Sequence, residues 1–370
     1  MPIRLPRRWL RVAVPAVLAT LVLGCSDEGS VVSPPRRTHC IDFAGYIHVE
    51  ASVPMSGNSR RLASAGHYIY TASGDAGVHI IDITSPSSPV IVAVIDTPGS
   101  AVDVAIVDTL LYVADGDAGL RIVSVRHPSK PVELGDANTA GDARSVAVLD
   151  TIAYVTDDVG LRVIDVSEPA RPEFIGGDNT QGDANDIVLL GDFAYVSDVL
   201  LGLRVVPIAM PTAYDPVAIL PIPGEPKGIA GVGSTVYVAS GSQGVHVVDV
   251  STPWAPKVVG RYDGSRGARD VGMSNGHLYA VEQLRGVLVL DLQDDFILEH
   301  VTTVKTPGVP LGIDVSEGYV FVASGMDGVQ IIDAGNPRPP PVLASLATPG
   351  QAEGVFLVGE AVYVCDGRSG

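Results

Sequence analysis

Short apolar segments rich in Val, Ile and Ala recur along the chain, and Gly, Pro, Asp and Ser separate them. In one representative stretch four such segments follow one another, at 145–149, 152–156, 161–166 and 172–177. Segments of this length with β-branched residues and turn residues at their ends predict β-strands. No helix-length pattern with a period of 3.6 residues follows residue 25, so the pattern predicts an all-β domain.

The four-strand pattern repeats about every 42 residues along the sequence. One aromatic residue marks the same place in each repeat, at Tyr70, Tyr112, Tyr154, Tyr195, Tyr237, Tyr279, Phe321 and Tyr363. A glycine follows each aromatic residue at nearly constant distance, from Gly77 to Gly370. Four antiparallel strands in a repeat of this length are typical of a β-propeller blade.

The two ends of the chain predict how the ring closes. The last repeat has only its first two strands, at 354–359 and 361–365. Residues 38–43 align with a third strand at 78–83, and residues 46–53 would supply the fourth. We therefore expect one propeller of eight four-stranded blades, with seven blades as the alternative. A fragment of a longer protein would also end at a repeat boundary.

The N-terminus predicts export. Four arginines lie within the first eleven residues, and the apolar run 12–23 is too short for a permanent membrane span. The sequence "VLGC" at 22–25 resembles a bacterial lipobox, which implies cleavage before Cys25 and a lipid on that cysteine. An ordinary export signal is the alternative. The predicted division is a lipoprotein signal peptide at 1–24, a lipidated Cys25 with a flexible tether at 25–37, and a propeller at 38–370.

The segment "GLRVIDVSEP" recurs as the third strand and the following turn of the repeat. Close copies lie at 77–86, 119–128, 244–253 and 328–337, and weaker ones at 202–211 and 286–295. This motif resembles the LVIVD-repeat family of bacterial exported proteins. The resemblance covers nearly everything after residue 38 and implies a β-propeller. It implies little about the ligand.

Two cysteines remain for the folded domain. In the repeat register Cys40 aligns with Ile80 and Cys365 with Ala72, which face each other across a hairpin. Cross-strand neighbours are close enough for a disulfide after small adjustment, and export permits oxidation. We expect a Cys40–Cys365 disulfide that joins the two ends of the ring, with two free buried cysteines as the alternative.

The sequence contains no recognisable catalytic motif. GxSxG, HExxH, CxxC and phosphate-loop patterns are missing, and we expect no catalytic residue, cofactor or metal site. One third-strand position is basic in six repeats, which favours a structural contact between blades over metal ligation. Its residues are His39, His79, Arg121, Arg162, Arg204 and His246.

The charged residues indicate which classes of partner the protein could bind. The net charge of −18 argues against nucleic-acid binding, because phosphate contacts need Lys and Arg. Against this background, four basic residues share one position just before the first strand: Arg60, Arg144, Lys227 and Arg269. They predict an anion or an acidic partner segment at the mouth of the axial channel. Simple pairing with nearby aspartates is the alternative.

Together these features predict a monomeric binding scaffold, held at the membrane by its lipid alone and placed at the outer membrane, on its periplasmic or surface face. The expected partner is an envelope protein or glycan. A propeller-type hydrolase or lyase acting at the axial channel is the alternative. A quinone-dependent enzyme is disfavoured because Trp254 is the only tryptophan after the leader.

Overall fold

The computed structural model is all-β in every residue that it describes. The described residues are 19–22, 49–59, 61–85, 88–177, 182–208, 216–265, 267–274, 276–292, 297–316, 318–334, 342–358 and 361–367. Their 32 strands form eight four-stranded antiparallel sheets. Within these ranges there is no helix of the length and hydropathy needed to cross a membrane.

Seven sheets are continuous in sequence, and we call them blades 1 to 7 in chain order. Blade 1 contains β3 (Arg61–Ala65), β4 (Tyr68–Ala72), β5 (Val78–Asp82) and β6 (Val90–Ile95). Blade 2 contains β7 (Asp103–Val107), β8 (Leu110–Ala114), β9 (Leu120–Ser124) and β10 (Val132–Ala137). Blade 3 contains β11 (Ser145–Leu149), β12 (Ile152–Thr156), β13 (Leu161–Asp165) and β14 (Glu173–Gly177). Blade 4 contains β15 (Ala184–Leu190), β16 (Phe193–Asp198), β17 (Gly202–Pro207) and β18 (Ala218–Leu220).

The remaining continuous blades follow the same order. Blade 5 contains β19 (Ile229–Val232), β20 (Thr235–Ala239), β21 (Val245–Asp249) and β22 (Lys257–Tyr262). Blade 6 contains β23 (Ala268–Ser274), β24 (His277–Glu282), β25 (Gly286–Leu292) and β26 (Leu298–Val304). Blade 7 contains β27 (Gly312–Ser316), β28 (Tyr319–Ala323), β29 (Val329–Asp333) and β30 (Val342–Leu346).

The eighth sheet, blade 8, combines both ends of the chain. It contains β31 (Gly354–Val358), β32 (Ala361–Cys365), β1 (Ala19–Val22) and β2 (Val49–Ser52). The all-β propeller is thus confirmed. Seven blades are continuous in sequence, which is the number of blades in the alternative prediction. The eighth sheet combines both ends of the chain, as the prediction of eight blades requires.

In the 370-residue chain the third strand of blade 8 is not the predicted one. β1 pairs with both β32 and β2, so Ala19–Val22 fills the place expected for residues 38–43. Residues 38–43 themselves lie outside the described residues. The physical reason is that the open edge of β32 accepts any extended segment that supplies backbone partners. The apolar run 12–23 satisfies this requirement, and repeat alignment alone does not weigh it.

Eight apolar clusters hold the ring together, one at each interface between neighbouring blades. The aromatic residue of each repeat is buried, with at most 2% of its surface exposed. First strands of successive blades lie next to one another, as β3, β7 and β11 do, and therefore surround the central axis. The regular spacing of the aromatic residues thus reflects one repeated packing site per blade.

The ring has two different faces. We call the loop face the one that carries the connections between blades and the turns between second and third strands. On this face a turn glycine of one blade forms a backbone bridge with the next blade at five junctions: Gly74 with Ala101, Gly116 with Ala143, Gly241 with Ala268, Gly325 with Ala352, and Gly367 with Ser59. These glycines have φ between 54° and 60°, a left-handed conformation that favours glycine.

Candidate functional site

Three aspartates occupy the same position of the first strand in alternate blades. They are Asp103 in blade 2, Asp186 in blade 4 and Asp270 in blade 6. Asp103 is fully buried and Asp186 nearly so. Because first strands surround the axis, these carboxylates lie in the inner wall of the ring.

Each of these carboxylates bonds to the backbone of the following blade. Asp103 Oδ2 accepts hydrogen bonds from Ser145 Oγ at 2.8 Å and from Val146 N at 3.1 Å. Asp186 Oδ2 accepts one from Ile229 N at 3.1 Å, and Asp270 accepts one from Ile313 N. The aspartates therefore join neighbouring first strands, which is a structural task.

Burial raises the pKa values of these three aspartates. Loss of hydration raises the pKa of Asp103 and Asp186 above the ordinary value. The pKa of Asp270 is raised to about 7, first by burial and then by the charge of Asp186. Arg61 opposes all three shifts, and its Nη1 lies 3.7 Å from Asp103 Oδ2. The inner wall thus holds one guanidinium among three carboxyl groups.

The predicted basic column lies one residue before this inner set, and its charges are largely engaged. Arg144 forms an ion pair and hydrogen bond with Asp183. Lys227 Nζ lies 3.0 Å from Glu225 Oε2, and Arg269 is exposed. Arg60 lies outside the described residues. An anion site on this column therefore stays a prediction. Arg144 and Lys227 pair with acidic neighbours, as the alternative predicted.

The recurrent basic position of the third strand has a partner within its own blade. Arg162 Nε lies 2.9 Å from Asp157 Oδ2, and Arg204 Nη2 lies 3.1 Å from Asp198 Oδ2. In blade 5 the pair is His246 with Ser240, 3.2 Å apart, and burial lowers the pKa of His246 to about 4. In these three blades the partner lies at the end of the second strand of the same hairpin, so these pairs lie within one blade, and a contact between blades stays a prediction.

Cys365 is a free, fully buried cysteine in the cluster between blades 8 and 1, beside Leu62 and Ile69. Burial raises the pKa of its thiol. Cys40 and the proposed lipidation residue Cys25 lie outside the described residues. The Cys40–Cys365 disulfide is not seen, and the strand paired with β32 is β1.

A cavity of about 970 Å³ opens on the loop face at the junction of blades 6 and 7. Its walls come from the turn at Gln283–Arg285, the connection at 305–311 and the turn at Met326. Three apolar side chains on this wall are exposed, Leu284 at 79%, Met326 at 72% and Val309 at 49%. Two cationic side chains, Arg285 and Lys305, and one carboxylate, Asp327, line the same cavity. The volume lies near the upper end of the range of about 300–1,000 Å³ for ligand sites.

Sequence reasoning missed both the inner aspartates and this cavity. The aspartates stand one residue after the basic column, and a shift of one residue in a strand turns a side chain to the opposite face. Gln283 replaces the turn glycine and Pro310 the alanine of the bridge, but Val199 and Pro226 do the same at the junction of blades 4 and 5, so these changes alone do not identify the cavity. Within the described residues, no group of three His, Cys, Asp or Glu side chains could hold a metal ion.

Comparison with known proteins agrees with this architecture. The sequence model of the LVIVD repeat matches residues 56–97, 98–139, 140–180, 181–214, 223–264 and 307–348. None of the curated proteins compared matches the chain.

Solved structures of other propellers share the fold at low sequence identity. The computationally designed Ika8 protein has a TM-score of 0.73 at 10% identity, over 85% of this chain and 95% of its own. Sqt1 of Chaetomium thermophilum, solved bound to the N-terminus of the ribosomal protein L10, has a TM-score of 0.65 at 13% identity, over 81% and 93%. BamB from Moraxella catarrhalis has a TM-score of 0.64 at 12% identity, over 85% and 94%.

Proposed function

Because the chain belongs to the LVIVD repeat family and folds as a β-propeller, we propose that it is a lipid-anchored binding scaffold of the bacterial cell envelope. In this proposal its loop face holds a partner protein. The observation that supports it best is the cavity between blades 6 and 7, with its exposed apolar side chains. Exposed apolar groups beside a cavity are typical of interaction sites.

The rigid ring suits this function. Eight packed interfaces fix the blades, while the connections on the loop face differ from repeat to repeat. Variable loops on a rigid scaffold are where binding surfaces are usually built. A propeller of similar fold, Sqt1, was solved with a peptide segment of another protein, which supports the same type of partner here.

The anchor rests on the lipobox-like "VLGC" sequence at 22–25. We expect Cys25→Ala to abolish lipid labelling and to leave the protein as an uncleaved precursor or to release it from membrane fractions. A mature-sized, membrane-bound Cys25→Ala protein would contradict the anchor. Placement at the outer membrane is part of the same proposal and is tested by density-gradient separation of the two membranes.

An enzyme acting at the axial channel is the second candidate, because the pKa of Asp270 lies near 7 and would suit a general acid or base. Against it, the inner aspartates accept hydrogen bonds from backbone groups of the next blade. They are occupied as structural acceptors. The cavity that could admit a ligand lies at a blade junction and is lined by none of them.

The binding function is tested by affinity capture from a detergent extract of the envelope. Wild-type protein is compared with the double variant Leu284→Ser/Met326→Ser, and with Val94→Ser/Val132→Ser as a matched control on exposed outer strands. We expect one partner to be retained by the wild type and the control, and lost from the loop-face variant. Equal retention by all three proteins would contradict a partner at this part of the loop face.

A further inference from the structure

We propose that the cavity between blades 6 and 7 binds a short peptide segment of the partner that combines acidic and apolar side chains. This inference rests on the proposed binding function and names the chemistry of its ligand. Three observations carry it: the missing bridge at the junction, the origin of the two cations, and the mixed character of the wall.

The backbone bridge that closes five junctions is missing between the described residues here, as it is at the junction of blades 4 and 5, where Val199 and Pro226 stand. At the junction of blades 5 and 6, Gly241 N donates to Ala268 O and Ala268 N donates to Gly241 O, each at 3.0 Å. The equivalent residues here are Gln283 and Pro310. Pro310 has no N–H to donate. Gln283 does not adopt the left-handed conformation, since Asp108 and Asp150 are the only non-glycine residues with positive φ in the described chain.

Part of the wall of the cavity comes from a repeat that departs from the family pattern. The LVIVD model leaves residues 265–306 unmatched, and these form blade 6. In that blade Leu288 stands where blades 1 to 5 place Arg or His, and the fully buried residue at the end of the second strand is Glu282. Among the described residues Glu282 forms an ion pair with Arg285 of the turn, with Nε 4.0 Å from Oε2. The departure from the repeat thus places a guanidinium at the rim of the cavity.

Lys305 is cationic at a position that is acidic in blades 1 and 5 and uncharged in blades 2 and 7. The equivalent residues are Asp96, Asp263, Asn138 and Ala347. Lys305 is exposed and has no ion pair with any described residue. In a chain with a net charge of −18, two cations against the single carboxylate of Asp327 at this cavity favour an anionic ligand.

The rest of the wall favours a peptide over a lipid. Leu284, Val309 and Met326 offer apolar contacts, and Met adapts well to varied partner side chains. Gln283, Thr303 and Gln351 line the same cavity and can bond to peptide N–H and C=O groups. An acyl chain would leave the Gln283 and Gln351 amides without partners, at a cost, whereas Thr303 Oγ1 already bonds to His300 Nε2.

The test selects ten-residue peptides from a random phage-displayed library on the purified protein. Selected peptides are then synthesised and their affinities measured by fluorescence anisotropy. Three variants copy the residues found at the junction of blades 5 and 6: Leu284→Ser, Lys305→Asp, and the bridge-restoring double variant Gln283→Gly/Pro310→Ala. The matched control is Leu200→Ser, the equivalent exposed turn residue at the junction of blades 4 and 5.

We expect the enriched peptides to carry Asp or Glu together with large apolar residues. Affinity should fall at least about tenfold in Leu284→Ser, as for interface anchors, and a similar fall should follow from restoring the bridge. Lys305→Asp should weaken binding and also reduce its dependence on salt. Leu200→Ser should bind as the wild type does. Unchanged melting temperatures will show that each variant is folded.

Enrichment of neutral or basic peptides, no enrichment at all, or equal binding by every variant would overturn this proposal. So would binding of phosphatidylglycerol vesicles that competes with the peptides and is lost in the same variants, because the site would then be a lipid site. The proposed function fails separately, since a partner captured from the envelope and bound elsewhere on the loop face would leave that function standing.

Discussion

At the scale of single residues, the inner wall of the ring is the least expected feature. Asp103, Asp186 and Asp270 recur at one first-strand position in alternate blades and bond to the next blade. Sequence reasoning found the period and the buried aromatic residues because both repeat in every blade. It missed the aspartates because they occur in only three repeats and depend on which side of the strand faces the axis.

The raised pKa of Asp270 has a consequence for stability. Between about pH 4 and 7 the folded protein keeps a proton that the unfolded chain releases, so the free energy of unfolding falls as pH rises through this window. The variant Asp270→Asn has no carboxyl group at this position and should not show this fall in stability with rising pH. Between pH 5 and pH 8 we expect the wild type to lose at least about 1.4 kcal/mol more than the variant, the equivalent of one pKa unit.

Urea denaturation at the two pH values measures this difference. Asp249→Asn is the control, because hydrogen bonds from Ser251 lower the pKa of Asp249 and keep it ionised at both values. Parallel pH profiles for the wild type and Asp270→Asn would show that the inner carboxyl is not perturbed.

The buried pair of blade 4 gives a second prediction at this scale. Asp198 and Arg204 are both fully buried, with their charged groups 3.1 Å apart. Arg204→Met leaves a buried carboxylate without its cation and should cost about 3–5 kcal/mol of stability. Asp198→Ser with Arg204→His copies the Ser240–His246 pair of blade 5 and should restore part of the loss. Chemical denaturation measures the free energy of unfolding of both variants. Equal losses of stability in the two would contradict a stabilising Asp198–Arg204 pair.

At the scale of elements, the backbone bridges between blades determine where the loop face is closed. Each bridge needs a left-handed glycine on one side and an N–H on the other. The described residues form no such bridge where Gln283 and Pro310 stand, and the cavity lies at this junction. Val199 and Pro226 leave the junction of blades 4 and 5 without a bridge as well, so the sequence predicts the missing bridge but not the cavity.

Ala101→Pro tests the bridge at the junction of blades 1 and 2. The change removes the hydrogen bond from Ala101 N to Gly74 O, which is 3.0 Å long. We expect a destabilisation of about 1–3 kcal/mol, the cost of an unsatisfied buried partner. Pro310→Ala, at a junction without the bridge, should not destabilise the protein. Differential scanning calorimetry measures the stability of both variants. An Ala101→Pro protein as stable as the wild type would show that the bridge does not stabilise the fold.

At the scale of the whole molecule, closure of the ring depends on the N-terminal segment. In the structure Ala19–Val22 completes blade 8. Cleavage before Cys25, as we propose, would remove this strand and expose the edges of β32 and β2. Residues 38–43 align with third strands of other blades and are the segment that the repeat offers as a replacement.

We therefore predict that the processed protein, purified from the envelope, places residues 38–43 beside β32 and forms the Cys40–Cys365 disulfide. Such a bond would stabilise the closed ring by roughly 5 kcal/mol in a chain-entropy estimate. Non-reducing peptide mapping should recover the linked pair of peptides. Complete alkylation of both thiols in denatured, unreduced protein would contradict this mode of closure.

The central claim is that the loop face is the binding face, and site-specific photocrosslinking in living cells tests it most directly. A photoreactive amino acid is placed singly at exposed turns of the loop face, at Asp75, Asp117, Ser242, Leu284 and Met326. Matched positions on the opposite face are Thr109, Asp150, Asp192 and Ser234. The account predicts crosslinks to one envelope protein from the loop face, strongest at Leu284 and Met326, and none from the opposite face. Crosslinks confined to the opposite face, or spread evenly over both, would contradict it.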